Sequence, residues 1–592
     1  MSTVVQPPMY GWDTIPWRKL RRSVWKLQKR IYQARLEGNT KLVRKLQRLL
    51  MSSRAAKFLA VRRVTQDNSG KKTAGIDGVR SLSARQRLRM AHRLRIDGSA
   101  RPVRRVWIDK ADSEEKRPLG IPVMEDRARQ ALVKEALEPE WEACFEGHSY
   151  GFRPGRSCHD AIEAIFMAIA RKGKYVLDAD IAKCFDRIEQ GALLDKVNAS
   201  PFVRRQIKSW LKAGVMDGEK LFPTKEGVMQ GGPLSPLLAN IALHGLETTI
   251  VQSFRPRRGN RIPPMVVRYA DDFVVLHPDL HVVEHCTQAT REWLRPLGLE
   301  LKASKTRITH TLQDVDGKAG FDFLGFNIRQ YKVGKTKSGS LSPGKLLGFK
   351  TLIKPSPKAV RRHVEKLRGV VKNHKASRQE HLIYALNRVI RGWTNYYSTV
   401  VSKQTFARVN FTLTQMLRAW AKRRHPNTGT WGAFRRYCRK HGTESSKFQP
   451  PSGRPQLHQH VSTPIRRHVK VQAKRSPYDG DWIYWGTRLG RSPDVSTKVA
   501  RLLKKQRGRC IECGLYFRDG ETLGVERINP NASRRNAHYN LLLLHRYCRK
   551  QRDDESTCLA GTYDKRHEFE EPYEGKPSRT VLKPSGGGDP VA

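Results

Sequence analysis

Apolar positions recur at helical spacing near the start of the chain. Val24, Leu27 and Ile31, then Leu42, Leu46 and Leu49, fall three or four residues apart with Lys and Arg between them. Gly38-Asn39-Thr40 separates the two runs with a C-cap glycine and an N-cap, so Trp17 to Arg63 reads as two basic amphipathic helices. From about Trp107 to Leu324 the pattern changes. The runs Tyr175–Asp180, Val266–Tyr269 and Asp272–Leu276 have the length and β-branched content of strands, and helical stretches such as Arg127–Cys144 alternate with them. Between about Lys354 and Arg424 the pattern is mostly helical and intensely basic, with Trp393, Tyr396, Tyr397 and Trp420 interleaved. Aromatics at that spacing usually pack, so core positions are expected for Trp393 and Tyr397. Pro, Ser, His and Gln cluster from Phe448 to Pro464 in the manner of a linker, and the tail after Glu574 has the composition of disordered chain. There is no internal repeat.

Size and charge narrow the reading. At 592 residues the chain is several times a usual domain of ~100–150, so two to four domains are expected. Lys and Arg number 113 against 55 Asp and Glu, a net +58 that repels itself unless a polyanion neutralises it. Nucleic acid is the polyanion with phosphates spaced for the task. No apolar stretch of ~18 residues occurs, and the N-terminal MSTVVQPPMYGWDTIPWRKLRR lacks a signal peptide's apolar core. The expectation is a soluble intracellular protein with no membrane partner. Nine cysteines are too few for a disulfide scaffold; Cys144, Cys158, Cys184, Cys286 and Cys438 stand alone, while Cys510, Cys513, Cys548 and Cys558 cluster.

Two segments place paired acids at the ends of apolar β-type runs in a chain short of acids. One is Tyr175-Val-Leu-Asp-Ala-Asp180, leading into Ile181 and Phe185-Asp186; the other is Val266-Val-Arg-Tyr-Ala-Asp271-Asp272-Phe-Val-Val. Adjacent acids inside Val-rich flanks predict a hairpin whose tight turn presents both carboxylates outward. Clustered carboxylates repel one another unless divalent cations sit among them, and a pair of Mg²⁺ ions is what in-line displacement at phosphorus needs.

The ordered blocks KRPLGIP (Lys116–Pro122), SYGFRPGRS (Ser149–Ser157), DADIAKCFDRI (Asp178–Ile188), GVMQGGPLSPLLANI (Gly227–Ile241), RYADDFV (Arg268–Val274), GLELKASKT (Gly298–Thr306) and GFDFLGF (Gly320–Phe326) resemble the reverse transcriptase blocks of bacterial group II intron-encoded proteins. The resemblance covers roughly residues 20–420. It implies that Asp180, Asp271 and Asp272 bind the catalytic metals, with the backbone of Ile181 as a further contact. It also implies that Lys110 and Arg117 grip the incoming triphosphate, as guanidinium and ammonium groups do. Phe185 falls where a bulky side chain crowds a 2′-hydroxyl. Gln230 and Gly231 match a template- and nucleotide-facing turn, and Lys305 the late lysine near the triphosphate. KPSPKAVRRH (Lys354–His363) and IRGWTNYYS (Ile390–Ser398) look like the family's RNA-binding maturase region, where Arg and Lys track the backbone and aromatics offer stacking faces.

Cys510-x-x-Cys513 and His545-x-x-Cys548 have the ligand types and spacing of a tetrahedral zinc site, with Cys558 as an alternative ligand. With VERINP (Val525–Pro530) and NLLLLHRYC (Asn540–Cys548), the segment resembles the HNH endonuclease domain at the end of many of these proteins, yet it departs from that pattern. Glu526 and Arg527 stand at the paired-histidine positions and Arg549 follows the last cysteine; only Asn540 survives. Arginine stays protonated and is no base at neutral pH.

The resemblance implies a multidomain α+β protein: a right-hand polymerase (fingers and palm) with a helical thumb/maturase domain and a small C-terminal zinc-bound HNH-like (ββα) module. The expected divisions are a basic helical extension (1–65), fingers and palm (66–335), a thumb/maturase domain (336–430), a DNA-binding region and linker (431–500), where Trp482, Tyr484 and Trp485 lie, the zinc module (501–570) and a disordered tail (571–592). The implied activity is RNA-directed DNA polymerisation, a nucleotidyl transfer with two Mg²⁺, by a protein that carries one Zn²⁺, binds its group II intron RNA to assist splicing, and copies it at a double-stranded DNA target (retrohoming). Template RNA, a DNA primer and dNTPs are then its other partners, the module is doubtful as a nuclease, and the bacterial cytoplasm is its compartment, as a ribonucleoprotein acting on the chromosome. The alternatives are a splicing cofactor with an idle polymerase and a retron-like or domesticated reverse transcriptase.

Overall fold

The computed structural model describes residues 11–109, 116–254, 262–315, 317–342, 345–439, 447–472, 474–518, 521, 523–529, 540–546 and 548–549. Lys110, Cys558 and the C-terminal tail lie outside them. Two compact units divide the described chain: one runs through Trp485 and takes in Arg491–Ser496, the other comprises Gly486–Gly490 and the residues from Thr497 onward. Among the described residues no helix is long and apolar enough to cross a membrane.

The N-terminal region folds as three helices rather than two: α1 (Trp17–Leu36), α2 (Thr40–Ser52) and α3 (Arg54–Arg62). Asn39 caps α2 by accepting from the Leu42 N–H at 3.0 Å. The third helix escapes the pattern because the break at Ser53 carries neither glycine nor proline. The buried face of α2 is Val43, Leu46, Gln47, Leu50 and Met51, and Leu49 is left exposed. A short helix α4 (Ala84–Arg93) follows, with a Ser83–Gln86 capping box.

Helices α1, α2 and α3 pack around α5 (Met124–Glu142), which is buried on nearly every side despite carrying Glu135, Glu138, Glu140 and Glu142. Burying so many acids requires partners: Glu142 forms a two-point ion pair with Arg153 (2.9 and 3.0 Å), and Glu140 meets Arg44 at 3.1 Å. Strand β1 (Val103–Asp109) pairs antiparallel with β2 (Lys116–Ile121) and parallel with β4 (Val215–Asp217), which pairs with β5 (Lys220–Phe222), giving the order β2-β1-β4-β5. Helix α6 (Cys158–Ile169) precedes β3 (Tyr175–Asp180). The second sheet is wholly antiparallel, ordered β6-β7-β3-β8 with β6 (Met265–Tyr269), β7 (Asp272–His277) and β8 (Arg307–His310). In β7 every residue after Asp272 is buried, as expected of a central strand covered on both faces.

Three long helices, Pro357–Asn373, Gln379–Tyr397 and Lys403–Arg424, form a second core around Leu367, Leu386, Ile390, Leu413 and Trp420. Tyr397 is buried and Trp393 stacks on His363 at 4.2 Å. The Pro/Ser/His/Gln-rich stretch does not hang free as a linker. Phe448, Gln449, His460 and Thr463 are buried, and Asn387 holds the segment by donating to the Gln456 carbonyl (2.8 Å) and accepting from the His458 N–H (2.7 Å). Farther on, the buried Asp160 accepts from the Val471 N–H at 2.7 Å and pairs with His468 at 3.0 Å. Trp485 is buried against Gly155, while Trp482 and Tyr484 are half-buried.

Candidate active site

The hairpin β6–β7 closes on the pair Tyr269–Asp272, with Ala270 and Asp271 as its two turn residues and Ala270 at φ +59°. Strand β3 lies on the other side of β7 in a register that sets Asp180 opposite Asp272. Three carboxylates therefore converge at one end of the sheet, all half-buried. Burial raises the Asp271 carboxyl. It also pushes Asp272 up to about 7, assisted by the charges of Asp271 and Asp180. Lys305 places Nζ 2.5 Å from Asp180 Oδ2, and the charges of Arg117 and Lys305 oppose the rise at Asp271. An all-oxygen set of this kind suits a hard divalent cation such as Mg²⁺. Asp178 shares the face but is tied to Arg307, 3.2 Å away on β8, and burial pushes it up to about 6.

Ile181, Phe185, Gln230 and Gly231, also singled out by the sequence, each contact a neighbouring segment. Ile181 is buried and bridges to Leu301, while the Asp180 carbonyl accepts from the Lys302 N–H at 2.8 Å. The Phe185 carbonyl accepts from the Val228 N–H at 2.6 Å. Gln230 links two elements: its carbonyl accepts from the Gly120 N–H on β2 at 2.7 Å, and its side-chain amide donates to Asp186 at 3.4 Å. Gly231, at φ +125°, comes so close to β2 that a Cβ would lie 2.7 Å from the Gly120 carbonyl oxygen, so only glycine fits. Lys110 is outside the described residues.

Sequence reasoning passed over the wall beside the hairpin. The backbone at Ser149 and Tyr150 runs along β6, with the Tyr150 N–H donating to the Arg268 carbonyl at 2.9 Å. Gly151 then lies against the turn, where an added Cβ would be 2.4 Å from the Ala270 nitrogen. The only signal was the block SYGFRPGRS, which marks the segment without saying which residue faces the carboxylates.

In the C-terminal unit, the strands Leu523–Arg527 and Leu541–His545 pair antiparallel. The ligand atoms of Cys510, Cys513, His545 and Cys548 all lie within 4.8 Å of one another, three of the residues buried and Cys513 exposed. A cluster of three thiols and one imidazole can hold a metal ion, and its soft donors suit zinc. Glu521, unmarked by any spacing rule, places Oε2 3.2 Å from His545 Nε2, where a carboxylate orients a ligating imidazole. Arg549 forms an ion pair with Glu526 at 2.9 Å. Asn540 ties the strand ends together, donating to the Asn529 carbonyl (2.7 Å) and accepting from the Asn529 N–H (2.8 Å).

Three segments of the chain match known protein families. Residues 108–328 match the family described as reverse transcriptase (RNA-dependent DNA polymerase), residues 12–94 the N-terminal domain of reverse transcriptase, and residues 360–438 the group II intron, maturase-specific domain. The group II intron-encoded protein LtrA of Lactococcus lactis subsp. cremoris is 29% identical over 408 residues, 56% of this chain and 66% of that protein. Protein YkfC of Escherichia coli (strain K12) is 31% identical over 328 residues, 48% of this chain and 83% of that protein. Maturase-like protein 1 of Euglena gracilis is 29% identical over 245 residues, 39% of this chain and 51% of that protein. The chain thus spans just under two thirds of the length of LtrA.

Proposed function

The chain belongs to the group II intron-encoded reverse transcriptase and maturase family, and from that premise we propose that it is an RNA-directed DNA polymerase that also binds its own intron RNA, assists its splicing and copies it at a double-stranded DNA target. The observation that carries the reading is the register that sets Asp180 opposite Asp272, with Asp271 in the adjoining turn. These three carboxylates would hold two Mg²⁺, which supply charge stabilisation at the α-phosphate and an activated primer 3′-hydroxyl. Arg117, Lys110 and Lys305 grip the triphosphate of the incoming dNTP, Phe185 crowds the 2′ position, and Gln230 and Gly231 line the nucleotide-facing turn, with the Ile181 backbone beside the metals.

In this reading residues 66–335 are fingers and palm, 336–430 the thumb and maturase domain, and 1–65 a basic extension against template and primer. The module at 501–570 folds HNH-like around one zinc held by Cys510, Cys513, His545 and Cys548 but does not cut. The protein works as a ribonucleoprotein on a bacterial chromosome in the cytoplasm.

The test is to purify the full chain, sequence the RNA that accompanies it, and assay primer extension with an RNA template, a DNA primer, dNTPs and Mg²⁺. A spliced-out group II intron in the RNA and Mg²⁺-dependent cDNA are expected. Absence of template-directed synthesis with bound RNA retained would leave a splicing cofactor with an idle polymerase.

A further inference from the structure

Phe152 is held in a conformation that an aromatic residue does not choose. Its φ is +60°, in the left-handed region where a Cβ crowds the backbone. It is also 48% exposed, so the ring is not held there by full burial in a core. Its two neighbours impose the geometry. On one side Gly151 is pressed against the turn that carries Asp271, and its carbonyl accepts from Asn240 Nδ2 at 2.8 Å. On the other, Arg153 is locked by its buried two-point pair with Glu142 and donates to the Glu146 carbonyl (2.7 Å) and the Ser149 carbonyl (2.9 Å). With both flanks fixed, the ring stands out beside Phe185, edge to face, centroids 6.4 Å apart at 77°. Strained, over-determined residues of this kind concentrate where geometry serves a site.

We propose that Phe152 is a specificity residue acting through Phe185: it backs the Phe185 ring and keeps it from swinging away when a nucleotide bearing a 2′-hydroxyl enters. This rests on the reading of Phe185 as the side chain that crowds the 2′ position. Phe185 is itself only half-buried, and the described contact between aromatic rings on it is the one from Phe152. An aromatic ring anchored to the metal-bearing hairpin through Gly151 fixes the gate relative to the reacting atoms; a flexible aliphatic residue would not.

The test uses the full chain in primer extension, with the ratio of kcat/KM for a dNTP to that for the matching rNTP as the readout. Phe152→Gly is the informative variant, because glycine relieves the positive φ and keeps the fold while removing the ring. The ratio is expected to fall about tenfold, through a lower KM for the rNTP, with kcat for the dNTP nearly unchanged; Phe152→Tyr should restore it. Adding Phe152→Gly to Phe185→Ala should lower the ratio no further than Phe185→Ala alone. An unchanged ratio in Phe152→Gly, or an equal loss of kcat for both nucleotides, overturns the proposal and leaves Phe185 standing. If Phe185→Ala leaves the ratio untouched, the assignment of Phe185 fails and this proposal fails with it.

Discussion

Asp180 and Asp272 face each other across two adjacent antiparallel strands, and Lys305 closes on Asp180 from the other side. Burial, with the charges of Asp271 and Asp180, raises Asp272 to about 7, so a divalent cation held among these acids, as proposed, would relieve their repulsion. Replacing Asp272 by Asn removes a metal ligand while keeping size and hydrogen bonding. Asp272→Asn should abolish primer extension, and RNA affinity measured by filter binding should stay within about twofold, since no phosphate contact is lost. Comparable extension rates in the variant would remove the metal site from these strands.

Glu135 offers a test of the helical core away from the chemistry. Burial pushes its carboxyl up to about 7 from the ordinary 4.5, with Arg63, 3.9 Å away, opposing the shift. Below pH 4.5 the group is protonated whether the chain is folded or not. Between pH 4.5 and 7 the unfolded chain ionises and the folded chain does not, so stability falls as pH rises through that window. Glu135→Gln should therefore unfold at the same temperature as the parent near pH 4.5 and at a higher one near pH 7.5, a difference on the order of 2–3 kcal/mol. Parallel melting curves at both pH values would contradict the shift.

What the sequence made legible was local. Adjacent acids in a Val-rich run are one hairpin, and paired Cys and His at short spacing are one cluster, so Asp271, Asp272, Cys510, Cys513, His545 and Cys548 could be read without knowing the fold. Phe152 and Glu521 could not, because the partner that gives each its meaning comes from elsewhere in the chain: Phe185 for one, His545 for the other. The polar stretch from Phe448 to Pro464 misleads for a related reason. Its composition is that of a linker, yet hydrogen bonds from Asn387 and a His363–His460 contact at 2.9 Å bind it to the helices, and composition does not register such pairing. In α2 the choice between Leu49 and Leu50 as the buried position depends on what the helix packs against, which periodicity alone leaves open.

Net charge of +58 sets the salt response of binding. If Lys and Arg contacts to phosphate lead, affinity for a random RNA should fall on the order of a thousandfold between ~50 and ~200 mM salt. The co-purified intron RNA should keep an advantage at the upper end, because shape and stacking are screened less than charge. Equal losses for both RNAs would take away the maturase reading, and a flat response would contradict phosphate-led binding.

The C-terminal cluster makes a prediction about metal. One zinc per chain is expected by elemental analysis, and a strong chelator should raise protease sensitivity in the C-terminal unit first, since so small a unit has little core besides the metal to hold it. Glu521→Gln keeps all four ligands yet weakens the carboxylate that orients His545, so zinc affinity should drop by about ten- to a hundredfold. Unchanged affinity would mean that the Glu521 contact does no orienting.

The same unit should bind DNA without cutting it. A nuclease of the kind it resembles needs a base that accepts a proton from water, and Glu526 is the acid nearest those positions. Its carboxylate, however, is engaged in an ion pair with Arg549 at 2.9 Å, which it would have to leave in order to meet a water. Arg527 cannot accept a proton at all. Asn540, the one residue retained from the nuclease pattern, donates to and accepts from the Asn529 backbone, a contact that shapes the strand ends. When the ribonucleoprotein is incubated with labelled double-stranded target, intron RNA is expected to insert into one strand while the opposite strand stays intact, so primer must come from elsewhere, such as a nascent strand at a replication fork. Glu526→Gln should change neither result. A site-specific nick in the opposite strand that disappears in Glu526→Gln would show that the carboxylate leaves Arg549 to act as the base, and would return the module to the nucleases.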